Sequence, residues 1–151
     1  QTSERTRAAV LVHMDGGTDA LSLIQYFADR GIPPQRLILC HLDRARYDMA
    51  YHREVAGTGA YLEYDTIHRL KYHSDEAEAL LIAHMVEHGY TGRLLMGMDT
   101  TNKRLKSYGA GFGLDYILTE FTGVLARFGI DRDKLNRIMV QNPQQALAVQ
   151  Y

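Results

Sequence analysis

Cysteine is nearly missing from this sequence, with Cys40 the single one in 151 residues. An internal disulfide is thereby excluded, and the chain reads as one suited to a reducing, cytoplasmic setting. Net charge is missing as well. Seventeen Lys and Arg face 18 Asp and Glu, leaving −1 with His neutral, so the basic stripe of a nucleic-acid binder is not there. No apolar run approaches the roughly 18 residues of a membrane span. The N-terminus shows no charged segment followed by an apolar one, so no secretory leader is expected. There is no low-complexity tract, no Ser/Pro linker and no shift in composition, which predicts one domain over residues 1–151. What remains is ordinary for a globular protein: 46% hydrophobic, 23% charged, and long enough to bury a sizeable core. The seven histidines stand out against that background.

Punctuation along the chain is regular. Four short, continuous apolar runs, Ala8–His13, Leu37–His41, Ala60–Asp65 and Arg93–Asp99, read as strands. Between and after them, helical periodicity covers Asp19–Arg30, about Tyr47–Val55, a segment opened by Ser74-Asp75-Glu76 and closed by Gly89, Asp115–Phe128, and Asp131–Val140, with a terminal helix from Asn142-Pro143. A Gly-containing loop runs from Thr100 to Leu114. Strand–helix alternation predicts an α/β fold of parallel strands. Unbroken apolar strands agree, because parallel strands bury both faces.

The strand ends fall on His13, His41, Asp65 and Asp99, separated by 28, 24 and 34 residues, about one strand–helix unit each. In parallel α/β folds, sites form at the carboxyl ends of strands. A His or Asp there costs desolvation unless something satisfies it. One such residue is commonly a hydrogen-bonded structural group; four in register point to a shared partner. Imidazole nitrogen and carboxylate oxygen together suit a divalent cation of the Zn²⁺ or Mn²⁺ type. Spacing alone leaves the structural and metal-binding roles of His13, His41 and Asp99 both open, and no HExxH-type motif decides between them.

Longer strings carry a resemblance. His41-Leu42-Asp43-Arg44, Gly59-Ala60-Tyr61-Leu62-Glu63-Tyr64-Asp65-Thr66, Leu95-Met96-Gly97-Met98-Asp99, the stretch from Gly109 to Leu118, and Asn142-Pro143 resemble, in order and spacing, the phosphotriesterase family of the amidohydrolase superfamily. The likeness is greatest to its branch of phosphotriesterase-related proteins and phosphorylated-sugar lactonases. It covers about Arg7 to Leu147.

The resemblance implies a (β/α)₈ TIM barrel, of which this chain matches strands 5–8, the second half. It implies two divalent metals, zinc first, with Mn or Co as alternatives. His13 and His41 would be metal ligands closing strands five and six. Asp99 would close strand eight, ligate a metal and act as the catalytic base. A metal-bound hydroxide would attack a lactone, a phosphorylated sugar lactone being one candidate, or a phosphoester. The family's other ligands, a His-x-His pair on the first strand and a carboxylated Lys or a Glu on the fourth, have no counterpart here. A complete barrel needs about 250 residues, so the chain reads as a half barrel. The alternative is therefore an inactive half barrel acting as an assembly module, whose open edges invite pairing into a homo-oligomer.

Other residues take lesser roles. Lys103, Arg104 and Tyr108, in the loop beyond Asp99, are candidates to bind an anionic or phosphorylated small-molecule substrate. Arg69 and Lys71 are weaker candidates of the same kind. Asp65 is expected to orient a ligand or cap a turn, and Asp43 and Arg44 to pair with each other or with nearby loops. His52, His84 and His88 read as surface or capping groups, and His73 as ordinary. Cys40 is expected to point away from His41 and into a helix. An aldolase-type barrel would need Lys71 at a strand end for a Schiff base, and the pattern places it in a loop.

Overall fold

In the computed structural model, residues 2–45 and 47–149 are described; Gln1, Arg46, Gln150 and Tyr151 lie outside the described residues. A short helix α1 (Thr2–Thr6) leads into strand β1 (Val10–His13) and helix α2 (Ala20–Ala28). Strand β2 (Leu37–Cys40) is followed by a 3-10 turn at Leu42–Ala45 and by helix α3 (Met49–Gly57). Strand β3 (Tyr61–Tyr64) and helix α4 (Asp75–Glu87) come next, then strand β4 (Leu94–Met96). The long loop carries 3-10 turns at Asn102–Arg104, Lys106–Tyr108 and Leu114–Ile117. Helices α5 (Glu120–Arg127) and α6 (Arg132–Asn136), a π-helical turn at Arg137–Gln141 and helix α7 (Asn142–Leu147) end the described chain.

All four strands are parallel and lie in the order β1-β2-β3-β4. Register runs Val10 to Leu37, Ile38 to Tyr61 and Leu62 to Leu94. One face of the sheet is dry. Leu37, Leu39, Leu62, Tyr64 and Leu94 meet Ile24, Val55, Leu81, Ile82, Met85 and Phe121 there in a single core cluster. Burial of each such side chain contributes about 1.5–3 kcal/mol. The opposite face carries a smaller cluster of Ile38, Tyr61 and Leu95 against Ala146 of α7. Sequential strand order with the main core on one face describes an arc of a barrel rather than a doubly wound sheet. Among the described residues, no helix is long and apolar enough to cross a membrane.

Helix boundaries follow local chemistry. Ser74 caps α4 by accepting the Ala77 amide, and three acidic residues follow in its first turn. Asp48 and Asp131 cap α3 and α6 through Tyr51 and Lys134 amides. Two expected helices differ. The segment expected to run unbroken over Asp115–Phe128 opens as a 3-10 turn and restarts at Glu120, since Thr119 leaves helical geometry at ψ −82. The Asp131–Val140 segment passes through the π turn directly into α7, where buried Asn142 donates to the Thr91 and Leu94 carbonyls and fastens the helix to β4.

Gly17 positions the turn after β2. Its φ is +73, and an added Cβ would lie 2.8 Å from the His41 carbonyl oxygen and 2.9 Å from the Ala45 nitrogen. Both are backbone atoms and cannot swing aside. Gly17→Ala is expected to cost more than the roughly 1–2 kcal/mol of left-handed backbone alone, lowering Tm by about 2–4 °C per kcal/mol. Thermal unfolding followed by circular dichroism reads this directly, and an unchanged Tm would mean the His41 turn has slack.

Candidate active site

The carboxyl ends of the strands open into a cavity of ≈ 380 Å³ lined by Leu11, His13, Cys40, His41, Glu63, Asp65, Gly97, Met98 and Asp99. All four residues expected at the strand ends line it. His41 and Asp99 sit just past their strands with positive φ, 66 and 38. Non-Gly residues in that region are costly and cluster at functional sites. The turn explains a difference from expectation: Cys40 and His41 line the same cavity, because the left-handed φ at His41 breaks strand alternation. Cys40 does pack, as expected, against a cluster that includes a helix residue, Ala146 of α7, together with Ile38, Tyr61 and Leu95, but it does not point away from His41. Burial and a hydrogen bond to Glu63 push its thiol far up, so the sulfur stays protonated and unreactive.

His13 and His41 converge. Nδ1 of His13 and Nε2 of His41 are 2.8 Å apart, with the rings edge to face. Asp65 holds His41 twice: its Oδ2 accepts the His41 amide at 3.2 Å, and its Oδ1 lies 2.5 Å from His41 Nδ1. Burial, and then the nearby Arg44, lower the His41 pKa, which favours the neutral imidazole a metal requires. Burial, with Asp43 and Glu63 beside it, raises Asp65 to about 8.

These residues fit a divalent cation. A tetrahedral ion with bonds of about 2.0 Å sets its ligand atoms about 3.3 Å apart. The two facing nitrogens need to part by only a few tenths of an ångström from their 2.8 Å separation. The backing of Nδ1 by a carboxylate is the arrangement that orients metal-bound histidines. Asp99 does not join them as directly. His13, His41 and Asp99 do not form a set whose ligand atoms all lie within 4.8 Å of one another. The Asp99 carboxylate instead takes a short hydrogen bond from Arg69, with Arg44 Nη2 at 3.6 Å. A carboxylate facing two guanidiniums satisfies its charge there.

Replacing Asp65 with Asn leaves only one accepting oxygen for the two groups Asp65 now receives from His41. Asp65→Asn is expected to weaken zinc binding about 10–100-fold, as removal of an orienting partner does. Chelator-competition titration measures it, and an unchanged affinity would remove Asp65 from the site.

The loop residues divide. Lys103 lines a separate cavity of ≈ 370 Å³ with His68, Arg69, Lys71, Arg104 and Phe112. This concentration of cations is suited to an anion. Arg104 spends its donors on backbone, reaching the Met98, Asp99 and Ile67 carbonyls. It fastens the loop rather than offering a free fork. Tyr108 stands 64% exposed. Asp43 and Arg44 do not pair with each other. Asp43 is buried and accepts the Thr66 amide and hydroxyl at 2.6 and 2.5 Å, while Arg44 reaches the Asp15 carbonyl at 2.7 Å.

His52 departs from the surface or capping role expected of it, and His73 is not the ordinary helix-start residue expected. His52 is fully buried between the Tyr64 hydroxyl and the Ala45 carbonyl. His73 is buried beside Thr66 and Glu78. His73 has a faint signal in sequence, a His five residues ahead of Glu78 at a helix start; His52 has none.

Comparison with known proteins places this geometry in context. The model of the phosphotriesterase family matches residues 1–147. A phospho-furanose lactonase of Mycoplasmopsis synoviae is 28% identical over 98% of the chain, and an N-acetyltaurine hydrolase of Dictyostelium discoideum is 29% identical over 99%. The chain spans 44% and 43% of those two proteins, less than half of each. Among solved structures, a lactonase from Listeria monocytogenes superposes with a TM-score of 0.91 at 30% identity, covering 99% of this chain and 47% of that one. The phosphotriesterase homology protein of Escherichia coli, solved with phosphate in its active site, gives 0.88 at 26%, covering 95% and 49%. The four parallel strands are thus an arc of the TIM barrel of these relatives, and the chain belongs to the phosphotriesterase family.

Proposed function

We propose that the protein containing this chain is a metal-dependent hydrolase of the phosphotriesterase-like group, acting on a lactone, with a phosphorylated sugar lactone as first candidate and a phosphoester as second. The observation that carries this reading is the facing His13 and His41 nitrogens, 2.8 Å apart and backed by Asp65. The lactonase names of two relatives support the substrate class, and the phosphate in the Escherichia coli structure supports an anionic one.

His13 and His41 would hold a divalent cation, zinc first, with Mn or Co as alternatives. Such an ion polarises an ester oxygen and acidifies water. With a cation bound, Asp65 would be ionised and would hold the His41 proton on Nδ1, leaving Nε2 for the ion. Asp99 accepts a proton at its carboxylate and returns it to the leaving oxygen, once Arg69 loosens its hold. Lys103, with Lys71 across the same cavity, binds the substrate's anionic group as point charges. The test is a hydrolysis panel of lactones with and without a phosphate, phosphotriesters and N-acyl substrates, on protein reloaded with Zn, Mn or Co. The expected outcome is fastest turnover of a phosphorylated lactone, with Lys103→Ala raising KM for it several-fold and sparing the unphosphorylated lactone. Folded, metal-loaded protein that hydrolyses none of them would sink the reading.

A second reading rests on the open sheet edges of β1 and β4 and on Leu11, 59% exposed on the face opposite the main core. Unpaired parallel edges template further strands, so the chain would serve as an assembly module completed by another four strands or by a second copy. Native mass together with metal content separates the two: a stable dimer that binds no metal favours assembly alone.

A further inference from the structure

Adjacent residues Asp65 and Thr66 serve different clusters. Asp65 turns to His41. Thr66 turns to the other side, donating its amide and hydroxyl to Asp43 and lying 2.8 Å from His73 Nε2. That second cluster is closed from solvent: Asp43 and Glu78 are 0% exposed and His73 is 5% exposed. One ligand atom from each of Asp43, His73 and Glu78 lies within 4.8 Å of the others.

The cluster is only partly satisfied from within. Asp43 Oδ1 and Glu78 Oε1 receive no hydrogen bond, although both are buried. Glu78 Oε2 lies 2.9 Å from His73 Nε2. Among the described residues, neither carboxylate pairs with Lys or Arg. Two enclosed carboxylates without such a partner are costly. The ring of His73 is already set for ligation. Its Nδ1 lies 3.2 Å from the Ser74 carbonyl, which can only accept. Nδ1 donates there, and Nε2, which faces Thr66 Oγ1 and Glu78 Oε2, gives up its proton when an ion binds. A histidine whose second nitrogen donates to a carbonyl is the usual state of a metal-bound one.

We propose that Asp43, His73 and Glu78 form a second, buried site for a divalent cation, distinct from the one at His13 and His41. A neutral imidazole and two carboxylates make a three-ligand set with zero net charge once a divalent ion is bound, and the nitrogen-plus-oxygen chemistry suits Zn²⁺ or Mn²⁺. His73 Nε2 and Glu78 Oε2, now 2.9 Å apart, need to open to about 3.3 Å around a tetrahedral ion, and Asp43 to close in from within 4.8 Å. The ion would tie the turn after β2, the loop after β3 and the first turn of α4 together, directly behind His41 and Asp65. Its role is to hold that framework, not to touch substrate.

Zinc is the probe. Crystals of the unmodified protein grown with Zn²⁺ are expected to give an anomalous peak at the zinc edge about 2.0–2.2 Å from oxygens of Asp43 and Glu78 and from His73 Nε2. In solution, Glu78→Gln is expected to bind one zinc fewer per chain than the unmodified protein by elemental analysis. His13→Ala should lose the rim ion and keep the buried one. Where Glu78→Gln does not fold, His73→Gln reads the same loss, and the diffraction experiment needs no variant at all. A peak between His13 and His41 with none at Asp43, or equal zinc content in the unmodified protein and folded Glu78→Gln, overturns the proposal.

Discussion

Replacing Asp99 with asparagine is expected to cut hydrolytic turnover of the metal-loaded protein by about 100- to 10,000-fold, the range for loss of a positioned proton-transfer group. The substitution isolates proton transfer from architecture. Asp99 has a φ of 38, a region that Asn enters almost as readily as Asp. The amide keeps one oxygen that can accept from Arg69, the residue now donating to the Asp99 carboxylate. What it cannot do is take a proton at neutral pH. Metal content should fall only partly, because His13 and His41 are untouched. Steady-state rates on the lactone panel, with elemental analysis of the same sample, give both quantities. Asp99→Asn with full activity would refute the base assignment, and a variant that lost all its metal would make Asp99 chiefly a ligand. Arg69→Gln is the companion. It frees the Asp99 carboxylate, so its effect should fall on metal affinity as well as rate.

How much of this was legible in sequence depends on the range of the contact. The four strands were readable because Leu37-Ile38-Leu39 and Leu94-Leu95-Met96 are apolar on both faces; β2 forms almost as expected, while β4 keeps only Leu94–Met96 of the expected Arg93–Asp99. The rim was readable because each run closes on a polar residue, and His13, His41, Asp65 and Asp99 do line one cavity. Partner choice was not. Arg69 and Asp99 are 30 positions apart, and their pairing arises only when the loops after β3 and β4 fold over the same rim. Asp43 and Arg44 are neighbours in sequence, yet the 3-10 turn at Leu42–Ala45 sends one inward and the other to the surface loops. The buried Glu78 was hidden for a different reason. It sits among Asp75, Glu76 and Ala77, where a first-turn acid reads as a partner for the helix dipole in water. Helix α4 is covered on most sides, with Asp75, Glu78, Ala79, Leu81, Ile82, Ala83 and Met85 all buried, so a single apolar stripe does not describe it. His52 shows the limit of helical position as a guide. The stretch Asp48 to Glu54 is polar, and nothing local signals that Tyr64 from β3 closes over the ring.

Lowering the pH from about 6.5 to 4 is expected to remove on the order of 3 kcal/mol of stability through His52 alone. The Ala45 carbonyl, 3.2 Å from Nε2, can only accept, so Nε2 carries the proton and Nδ1 accepts from the Tyr64 hydroxyl at 2.9 Å. Both contacts are satisfied by the neutral ring. Burial, the dominant cause, lowers the His52 pKa from 6.5 to about 4. The unfolded chain takes up its proton near 6.5, and the folded one not until about 4. Between those values the unfolded state binds more protons, so stability falls as pH falls. The contribution is complete above 6.5 and gone below 4, and about 2.5 units at 1.36 kcal/mol per unit give its size. His52→Gln is the control. Its amide can donate to the Ala45 carbonyl and accept from Tyr64 while carrying no titratable proton. Denaturant unfolding at pH 7 and pH 4 should then show a smaller drop for His52→Gln than for the unmodified protein, by about 3 kcal/mol. Exposed carboxylates such as Asp131, which a hydrogen bond from the Lys134 amide holds low, contribute equally to both proteins and cancel in the comparison. Parallel acid limbs in the two proteins would mean that the ring is already protonated when folded, with the Tyr64 hydroxyl turned to accept from it.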